Sequence, residues 1–196
     1  CTVRLFEQVF NRFGLKTLWI DFTKSNFQEV IANHKPAMIW IESPTNPLLK
    51  IIDIEEICNF SNKMQIPVVV DNTFATPLLQ RPLKLGATLS LTSTTKYING
   101  HSDALGGAVC TESSAWKDKL NFAQKALGLN PSPFDCWLIT RGIKTLPLRL
   151  ERQIDNASKI ANQLANNPLI ESVRYPFRND HPQCKLAKRQ MALGGA

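Results

Sequence analysis

The chain has 196 residues, of which 43% are hydrophobic, as expected for one sizeable globular domain. Its formal net charge is +7, but the 23 lysines and arginines are scattered, and no basic stripe with interleaved aromatic residues is present. No apolar run approaches the roughly 18 residues that a membrane span requires, and no signal peptide is visible. We therefore expect neither nucleic acid nor a membrane as a partner.

The helices predicted in the first half of the chain follow from apolar spacing and capping signals. Aromatic and aliphatic residues recur at helical spacing over 3–13 and indicate a helix there. Ser25 and Gln28 form a capping box that opens a short helix through Ile31. A further helix is predicted over 54–64.

Short apolar runs separate these helices and are predicted to be strands. Helices of about ten residues alternating with such runs are typical of right-handed βαβ units and a mainly parallel sheet, so the expected fold class is α/β. The predicted strands cover residues 15–20, 37–41, 67–70, 87–91 and 105–109.

From about residue 113 the pattern becomes helical. Apolar residues from Leu146 to Leu164 share one face of a long helix, which is predicted to end near Asn167 and Pro168. A strand over 170–175 and a short helix over 182–191 are predicted to follow it.

The cysteines and the absence of common site motifs restrict the chemistry. The five cysteines are widely spaced, odd in number and free of CxxC pairs, and several lie in apolar stretches. This usage is typical of free thiols in a reducing compartment, so we expect a cytoplasmic protein. No HExxH motif, ligand-spaced Cys/His cluster or GxGxxG loop is present, so neither a metal site nor a dinucleotide site is predicted.

Chemically useful groups follow two neighbouring predicted strands. Asp71 ends the run 67–70, and Lys96 follows the run 87–91 behind Ser93 and Thr95. The carboxyl ends of parallel strands meet at one edge of a sheet, where open α/β sheets bind ligands. A pyridoxal-phosphate enzyme needs an amine for the aldehyde, a carboxylate for the pyridine nitrogen and hydroxyls for the phosphate.

Each of these residues also has a simpler interpretation. Asp71 could cap a turn, and Lys96 could be a surface cation, as most lysines are. Their joint placement at the ends of apparent parallel strands favours the cofactor site over two unrelated surface residues. The retained pair also argues against a non-enzymatic binding protein built on the same fold.

The motifs IESPTNP, VVVDNTF and STTKYINGHSD, with PSPFDCWLITRGIKTL at 131–146, resemble the Cys/Met-metabolism (transsulfuration) family of pyridoxal-phosphate enzymes. The similarity runs over essentially the whole chain. It implies the aminotransferase-like fold of fold type I enzymes, with a large cofactor domain over 1–145. Residues 146–196 would form the long connecting helix and the beginning of a smaller C-terminal α+β domain. The resemblance also implies that the chain is the central part of a longer enzyme.

This resemblance assigns roles to individual residues. Lys96 would hold the cofactor aldehyde as the internal aldimine and, once released, move protons at the substrate's Cα and neighbouring carbons. Asp71 would pair with the protonated ring nitrogen, which makes the ring a better electron sink for a Cα carbanion. Ser93 and Thr95 resemble the residues that contact the phosphate; on an extended segment both hydroxyls would face one way.

Other positions in these motifs have less direct roles. Asn46 resembles the family asparagine that faces the ring hydroxyl, although SPTNP is also ordinary turn chemistry. Thr73 is expected close to the ring. His101 is expected to order the loop after Lys96, because a lone histidine without a visible acidic partner is usually structural. The Arg141–Gly142 block is interpreted as helix packing and turn chemistry.

The resemblance implies a pyridoxal-phosphate-dependent C–S lyase that acts on cystathionine or a related sulfur amino acid. Two alternatives stay open, a cystathionine gamma-synthase that joins an O-acyl-homoserine to cysteine, and a methionine gamma-lyase. A homotetramer, arranged as a dimer of dimers, is the implied assembly. The residues that stack on the cofactor and bind the substrate carboxylate are expected outside this stretch.

Overall fold

The computed structural model describes residues 2–24 and 26–195, and the chain divides into two compact units between His34 and Lys35. In the first unit, helix α1 (Thr2–Arg4) continues as a π-helix (Leu5–Val9) and a 3-10 helix (Phe10–Phe13). The helical prediction for 3–13 is thus confirmed. Helix α2 (Phe27–His34) follows, while Ser25 of the expected capping box lies outside the described residues.

The predicted strand over 15–20 is wrong, because this segment has no regular structure. One of its apolar side chains, that of Trp19, packs on the preceding helical segment instead. The ring of Trp19 stacks on Phe6 at 6.4 Å between centroids, and its indole N–H donates to Glu7. A short apolar run becomes a strand only where a neighbouring strand is available to pair with it.

The second unit contains a four-stranded sheet. Its strands, in spatial order, are β1 (Ile39–Glu42), β2 (Val68–Asp71), β3 (Leu89–Ser93) and β4 (Gly107–Cys110). The first three strands are parallel to one another, whereas β4 pairs antiparallel with β3. The expected α/β class with a mainly parallel sheet is therefore confirmed.

The direction of β4 follows from its connection. Residues 94–106 contain no helix that could cross a face of the sheet, so the chain returns beside β3 in the opposite direction. By contrast, β1 and β2 are joined through helix α3 (Ile54–Lys63), whose N-terminus is capped by the Asp53 carboxylate accepting from the Glu56 N–H at 3.1 Å.

Helices follow β2 and occupy most of the chain after β4. The helix Leu146–Ala165 ends close to the predicted residues 167–168, and the helix Cys184–Gln190 lies within the predicted 182–191. These elements are α4 (Thr76–Leu79), a 3-10 helix (Pro82–Leu85), α5 (Ser114–Leu127), α6 (Pro133–Ile143), α7 (Leu146–Ala165) and α8 (Cys184–Gln190).

The strand predicted over 170–175 is wrong, since these residues have no regular structure and no described strand pairs with them. Tyr175 is nevertheless buried, and its hydroxyl donates to the Gly195 carbonyl at 3.0 Å. Only Tyr175 of this segment is buried, while Ile170 is 38% exposed, so the apolar residues here do not indicate a strand.

Two buried regions position the site. The first is the centre of the sheet, where the three valines of β2 are at most 3% exposed. The second joins α7 and α8 to the loops that follow β1, β2 and β3. It consists of Ile51, Ala75, Leu79, Ile98, Leu146, Leu150, Ala187 and Met191.

Two properties bear on the expectations about thiols and membranes. The four described cysteines are free, with Cys58 and Cys184 buried and Cys110 and Cys136 exposed. Burial raises the pKa of the Cys58 thiol to about 12. Among the helices of the described residues, none combines the length and the apolar composition that crossing a membrane requires.

Candidate active site at the carboxyl edge of the sheet

The register of the parallel strands brings their polar ends to one edge of the sheet. Glu42 at the end of β1 pairs with Asp71 at the end of β2, and Asp71 pairs with Leu91 in β3. Ser93, which ends β3, is only two residues further along. Sequence reasoning placed Asp71 and the Ser93–Lys96 segment at a common edge, and the structure brings them together there.

Thr73 connects the ends of β2 and β3. Its backbone N–H and its hydroxyl both donate to Asp71 Oδ1, at 3.0 and 2.6 Å. The same hydroxyl oxygen accepts from the Ser93 N–H at 2.9 Å. Among the described residues Asp71 Oδ2 makes no hydrogen bond. The half-buried carboxylate is thus held by one oxygen and presents the other.

The two candidate phosphate-binding hydroxyls differ in their surroundings. Ser93 Oγ makes no hydrogen bond within the described part of the chain. Thr95 Oγ1 donates to the Gly106 carbonyl at 3.3 Å and accepts from the Gly106 N–H at 3.0 Å. The expected extended segment, which would align both hydroxyls, is wrong. The strand ends at Ser93, and the chain turns before Thr95.

Lys96 lies in a single turn, residues 94–100, which we name the lysine turn. Its backbone N–H donates to the Ser93 carbonyl at 3.2 Å, and its carbonyl accepts from the Gly100 N–H at 2.8 Å. The side chain is exposed, and Nζ has no hydrogen-bond or ion-pair partner in residues 2–24 or 26–195. The backbone is therefore fixed while the amine is available.

Asn46 lies in the loop after β1, close to Glu42, which ends that strand at the same edge of the sheet. The Asn46 side chain is exposed, and its backbone N–H lies close enough to Glu42 to act on that carboxylate. Burial raises the pKa of Glu42, and the nearby Asp71 charge raises it further, whereas the Asn46 N–H lowers it. Sequence reasoning gave Glu42 no role, although an acid that ends an apolar strand in IESPTNP is the same signal that marked Asp71.

A buried polar network supports the loops after β1 and β2. Gln80 Nε2 donates to the Ser43 carbonyl at 2.7 Å and to Asn72 Oδ1 at 2.9 Å. Gln190 Nε2, from α8, donates to Gln80 Oε1 at 2.9 Å and to Ser43 Oγ at 3.3 Å. All four side chains are at most 9% exposed. Satisfied buried networks of this kind rigidify their surroundings, and this one lies directly beside Asp71.

The lysine turn is also packed against α6. An ideal Cβ on Gly142 would lie 2.2 Å from the Asn99 carbonyl oxygen, so only glycine permits this approach. The interpretation of the Arg141–Gly142 block as helix packing is confirmed for Gly142. His101 Nδ1 lies 2.7 Å from the same carbonyl oxygen, a contact that orders the loop after Lys96.

Substituting Gly142 by alanine should destabilise the protein, because the new methyl group would displace the backbone of the lysine turn. Overpacking of this kind costs about 1–3 kcal/mol, more than the roughly 1 kcal/mol that alanine gains over glycine inside a helix. Thermal unfolding of the full-length protein measures the effect. Gly107→Ala is the control, since its Cβ would meet nothing closer than 3.7 Å. Equal unfolding temperatures for both variants would contradict the close approach.

Comparison with known proteins adds independent information. A cystathionine gamma-lyase of Sus scrofa is 46% identical over 190 residues, covering 96% of this chain and 47% of that protein. A probable cystathionine gamma-synthase of Herpetosiphon aurantiacus is 45% identical over 195 residues, covering 99% of this chain and 61% of that protein. The chain thus spans about half the length of the curated relatives it matches.

Solved structures agree with these relatives. The cystathionine gamma synthase of Xanthomonas oryzae pv. oryzae, solved in complex with cystathionine, superposes with a TM-score of 0.96 at 39% identity. That match covers 100% of this chain and 50% of the other. The family described as Cys/Met metabolism PLP-dependent enzyme matches residues 1–196, and the chain belongs to this family.

Proposed function

We propose that the protein containing this chain is a pyridoxal-phosphate-dependent C–S lyase of transsulfuration, acting on cystathionine or a related sulfur amino acid. One observation carries the proposal. Asp71, Ser93 and Lys96 lie at or just beyond the ends of adjacent strands, and Asp71 Oδ2, Ser93 Oγ and Lys96 Nζ have no hydrogen-bond partner among the described residues. A cystathionine gamma-synthase is the main alternative, because similar proteins carry that name.

The available groups fit pyridoxal phosphate as a donor set. Bound pyridoxal phosphate supplies an electron sink that stabilises negative charge at the substrate's Cα. Asp71 Oδ2 would accept a hydrogen bond from the N–H of the ring nitrogen, and its negative charge would keep that nitrogen protonated. Thr73 holds the other carboxylate oxygen, Oδ1. Ser93 Oγ would donate to a phosphate oxygen. Thr95 Oγ1 now donates to the Gly106 carbonyl. It would donate to the phosphate as well only after its hydroxyl turns away from that carbonyl.

Lys96 would act as the proton carrier. Its amine would bind the cofactor's aldehyde carbon, whose oxygen leaves as water. Once the substrate's amine displaces it, the Lys96 amine would remove the Cα proton and return protons at neighbouring carbons. Asn46 and Thr73 are proposed near the ring, at its hydroxyl and at its nitrogen side. The Ser43–Asn72–Gln80–Gln190 network would hold the loops that carry them.

We also propose the organisation that the resemblance implies. Residues 1–145 would belong to the large cofactor domain, and 146–196 to the connecting helix and the beginning of the C-terminal domain. A cytoplasmic homotetramer, arranged as a dimer of dimers, is the proposed assembly. Large exposed apolar side chains on α5 and α6 support an interface there, since monomers rarely expose such groups together. They include Phe122, Leu127, Phe134 and Trp137.

Given cystathionine as sole substrate, the full-length protein should release a keto acid, ammonia and a thiol amino acid. Cysteine as the thiol product reports gamma-cleavage, and homocysteine reports beta-cleavage. The common requirement is removal of the Cα proton, which Lys96 would perform; gamma-cleavage also needs proton removal at Cβ. Chromatography of the derivatised amino acids measures the products.

The other outcomes separate the alternatives. If cystathionine is inert while an O-acyl-homoserine plus cysteine yields cystathionine, the protein is a gamma-synthase. Cleavage of methionine alone would make it a methionine gamma-lyase. Inactivity towards all three substrates after loading with pyridoxal phosphate would overturn the proposal.

A further inference from the structure

The carbonyl groups of the lysine turn are bonded in two different ways. Those of Thr94 and Lys96 accept from backbone N–H groups within the turn, at 3.0 and 2.8 Å. Those of Tyr97 and Ile98 accept from a side chain on α7, at 2.9 and 3.2 Å. The end of the turn is therefore fixed by a separate helix, much as a capping group fixes the last carbonyls of a helix.

The side chain is the guanidinium of Arg149. Besides Tyr97 and Ile98, it donates to the Gly142 carbonyl at 2.9 Å and, through Nε, to Thr145 Oγ1 at 3.0 Å. Three segments thus meet on one planar group: the lysine turn, the end of α6 and the start of α7. A rigid fork of five N–H donors suits such a set of diverging acceptors, whereas an ammonium group could not reach them together.

No carboxylate pairs with Arg149 among the described residues. Its acceptors are backbone carbonyls and a hydroxyl, and two of the segments end there as helix-like turns, whose C-terminal carbonyls carry partial negative charge. Burial lowers the pKa of Arg149. The guanidinium therefore serves to donate hydrogen bonds to these backbone carbonyls and not to form an ion pair.

The contact depends on Gly100 and is anchored by the core. Gly100 has a φ of 76°, and a Cβ there would lie 2.0 Å from Arg149 Nη1, so the guanidinium occupies the space that a side chain would need. Leu146 and Leu150 flank Arg149 on α7 and are each 2% exposed. They share a buried cluster with Ile98 of the lysine turn. The position of Arg149 is thus determined by a packed helix.

We propose that Arg149 is a positioning residue for Lys96, clamping the turn that carries the amine to the rigid start of α7. The role of Lys96 as the reacting amine rests on the proposed function. The clamp keeps the Lys96 backbone where the amine can reach both the aldehyde carbon and the substrate's Cα. Loosening it should impair proton transfer more than substrate binding.

The test compares Arg149→Met and Arg149→Lys with Arg152→Met in the full-length protein. Arg152 is an exposed residue of the same helix, with no hydrogen-bond partner in the described part of the chain, so it is a matched control. The first readout is amide hydrogen exchange of the peptide covering 94–101 in protein freed of cofactor. The second is kcat and KM of the loaded enzyme.

In Arg149→Met, exchange in the 94–101 peptide should become at least about tenfold faster, while the strands of the sheet exchange as in the parent. Turnover should fall by about tenfold or more in kcat, with KM changed by less than about threefold. Arg149→Lys should show a smaller change of the same kind, because lysine keeps the positive charge but lacks the planar set of five N–H donors. Arg152→Met should match the parent in both readouts.

Three results would overturn the proposal. The first is unchanged exchange in a folded Arg149→Met protein, and the second is faster exchange with unaltered kcat. The third is failure of both Arg149 variants to fold while Arg152→Met folds, which would make the residue purely structural. If exchange increases but the parent itself acts on none of the substrates, the clamp stands and the proposed function fails.

Discussion

Replacing Lys96 by alanine should reduce turnover by the full-length protein at least about a thousand-fold. Positioned proton transfer alone contributes roughly 10²–10⁴-fold, and the variant would also lose the covalent attachment of the cofactor. The fold should be retained, since the side chain is exposed and makes no hydrogen bond with a described residue. Activity is measured with whichever sulfur amino acid the parent protein consumes.

Borohydride reduction followed by peptide mass mapping identifies the attachment point. The parent should carry the pyridoxyl group on Lys96, and the Lys96→Ala protein should carry none. Lys63→Ala is the control, because Lys63 is an exposed lysine at the end of α3, before β2 begins. A pyridoxyl group on another lysine of the parent, or a parent protein that stays colourless after addition of pyridoxal phosphate, would contradict the assignment.

Asp71→Asn should keep the fold and lose at least ten- to a hundred-fold in turnover. The asparagine carbonyl can still accept from the Thr73 N–H and hydroxyl, as Asp71 Oδ1 does at 3.0 and 2.6 Å. Its NH₂ group then replaces Oδ2, so a donor would face the N–H of the ring nitrogen. Losing a charge-assisted hydrogen bond costs about 1.5–3 kcal/mol, and about 1.4 kcal/mol corresponds to tenfold in rate.

The control for this substitution is Asp155→Asn. Asp155 pairs with Lys159 on the exposed face of α7, at 2.7 Å, and such pairs contribute only about 0.3–0.5 kcal/mol. Steady-state kinetics and thermal unfolding are measured for both variants. An Asp71→Asn protein with parental activity would show that the residue serves only the turn after β2.

Local sequence patterns were sufficient to predict the helices and strands that carry the candidate site. The continuous valine run of β2 indicates a strand buried on both faces, and Asp71 is the polar residue that ends it. Apolar residues at helical spacing likewise indicate α7, which ends within a few residues of the predicted position. These patterns are reliable because burial repeats along the element with a period that the sequence itself displays.

Which runs pair as strands, and in which direction, was harder to predict from the sequence. The runs 15–20 and 170–175 are as apolar as true strands, yet neither has a strand beside it among the described residues. The direction of β4 likewise depends on the path of the connection after β3 and not on its own residues. A strand is stabilised by hydrogen bonds to a neighbour, and the neighbour is not encoded in the run.

By itself, the sequence determined the α/β class, the order of the main helices, and the placement of Asp71 and Lys96 at strand ends. Only the tertiary structure showed that Thr73 joins Asp71 to Ser93, that Glu42 lies beside Asp71, and that Arg149 holds the lysine turn. Arg149 and the Tyr97 carbonyl are 52 residues apart, and a bond between a side chain and a backbone carbonyl leaves no periodic trace in the sequence. Such contacts are set by how packed helices and loops meet, which depends on the whole chain.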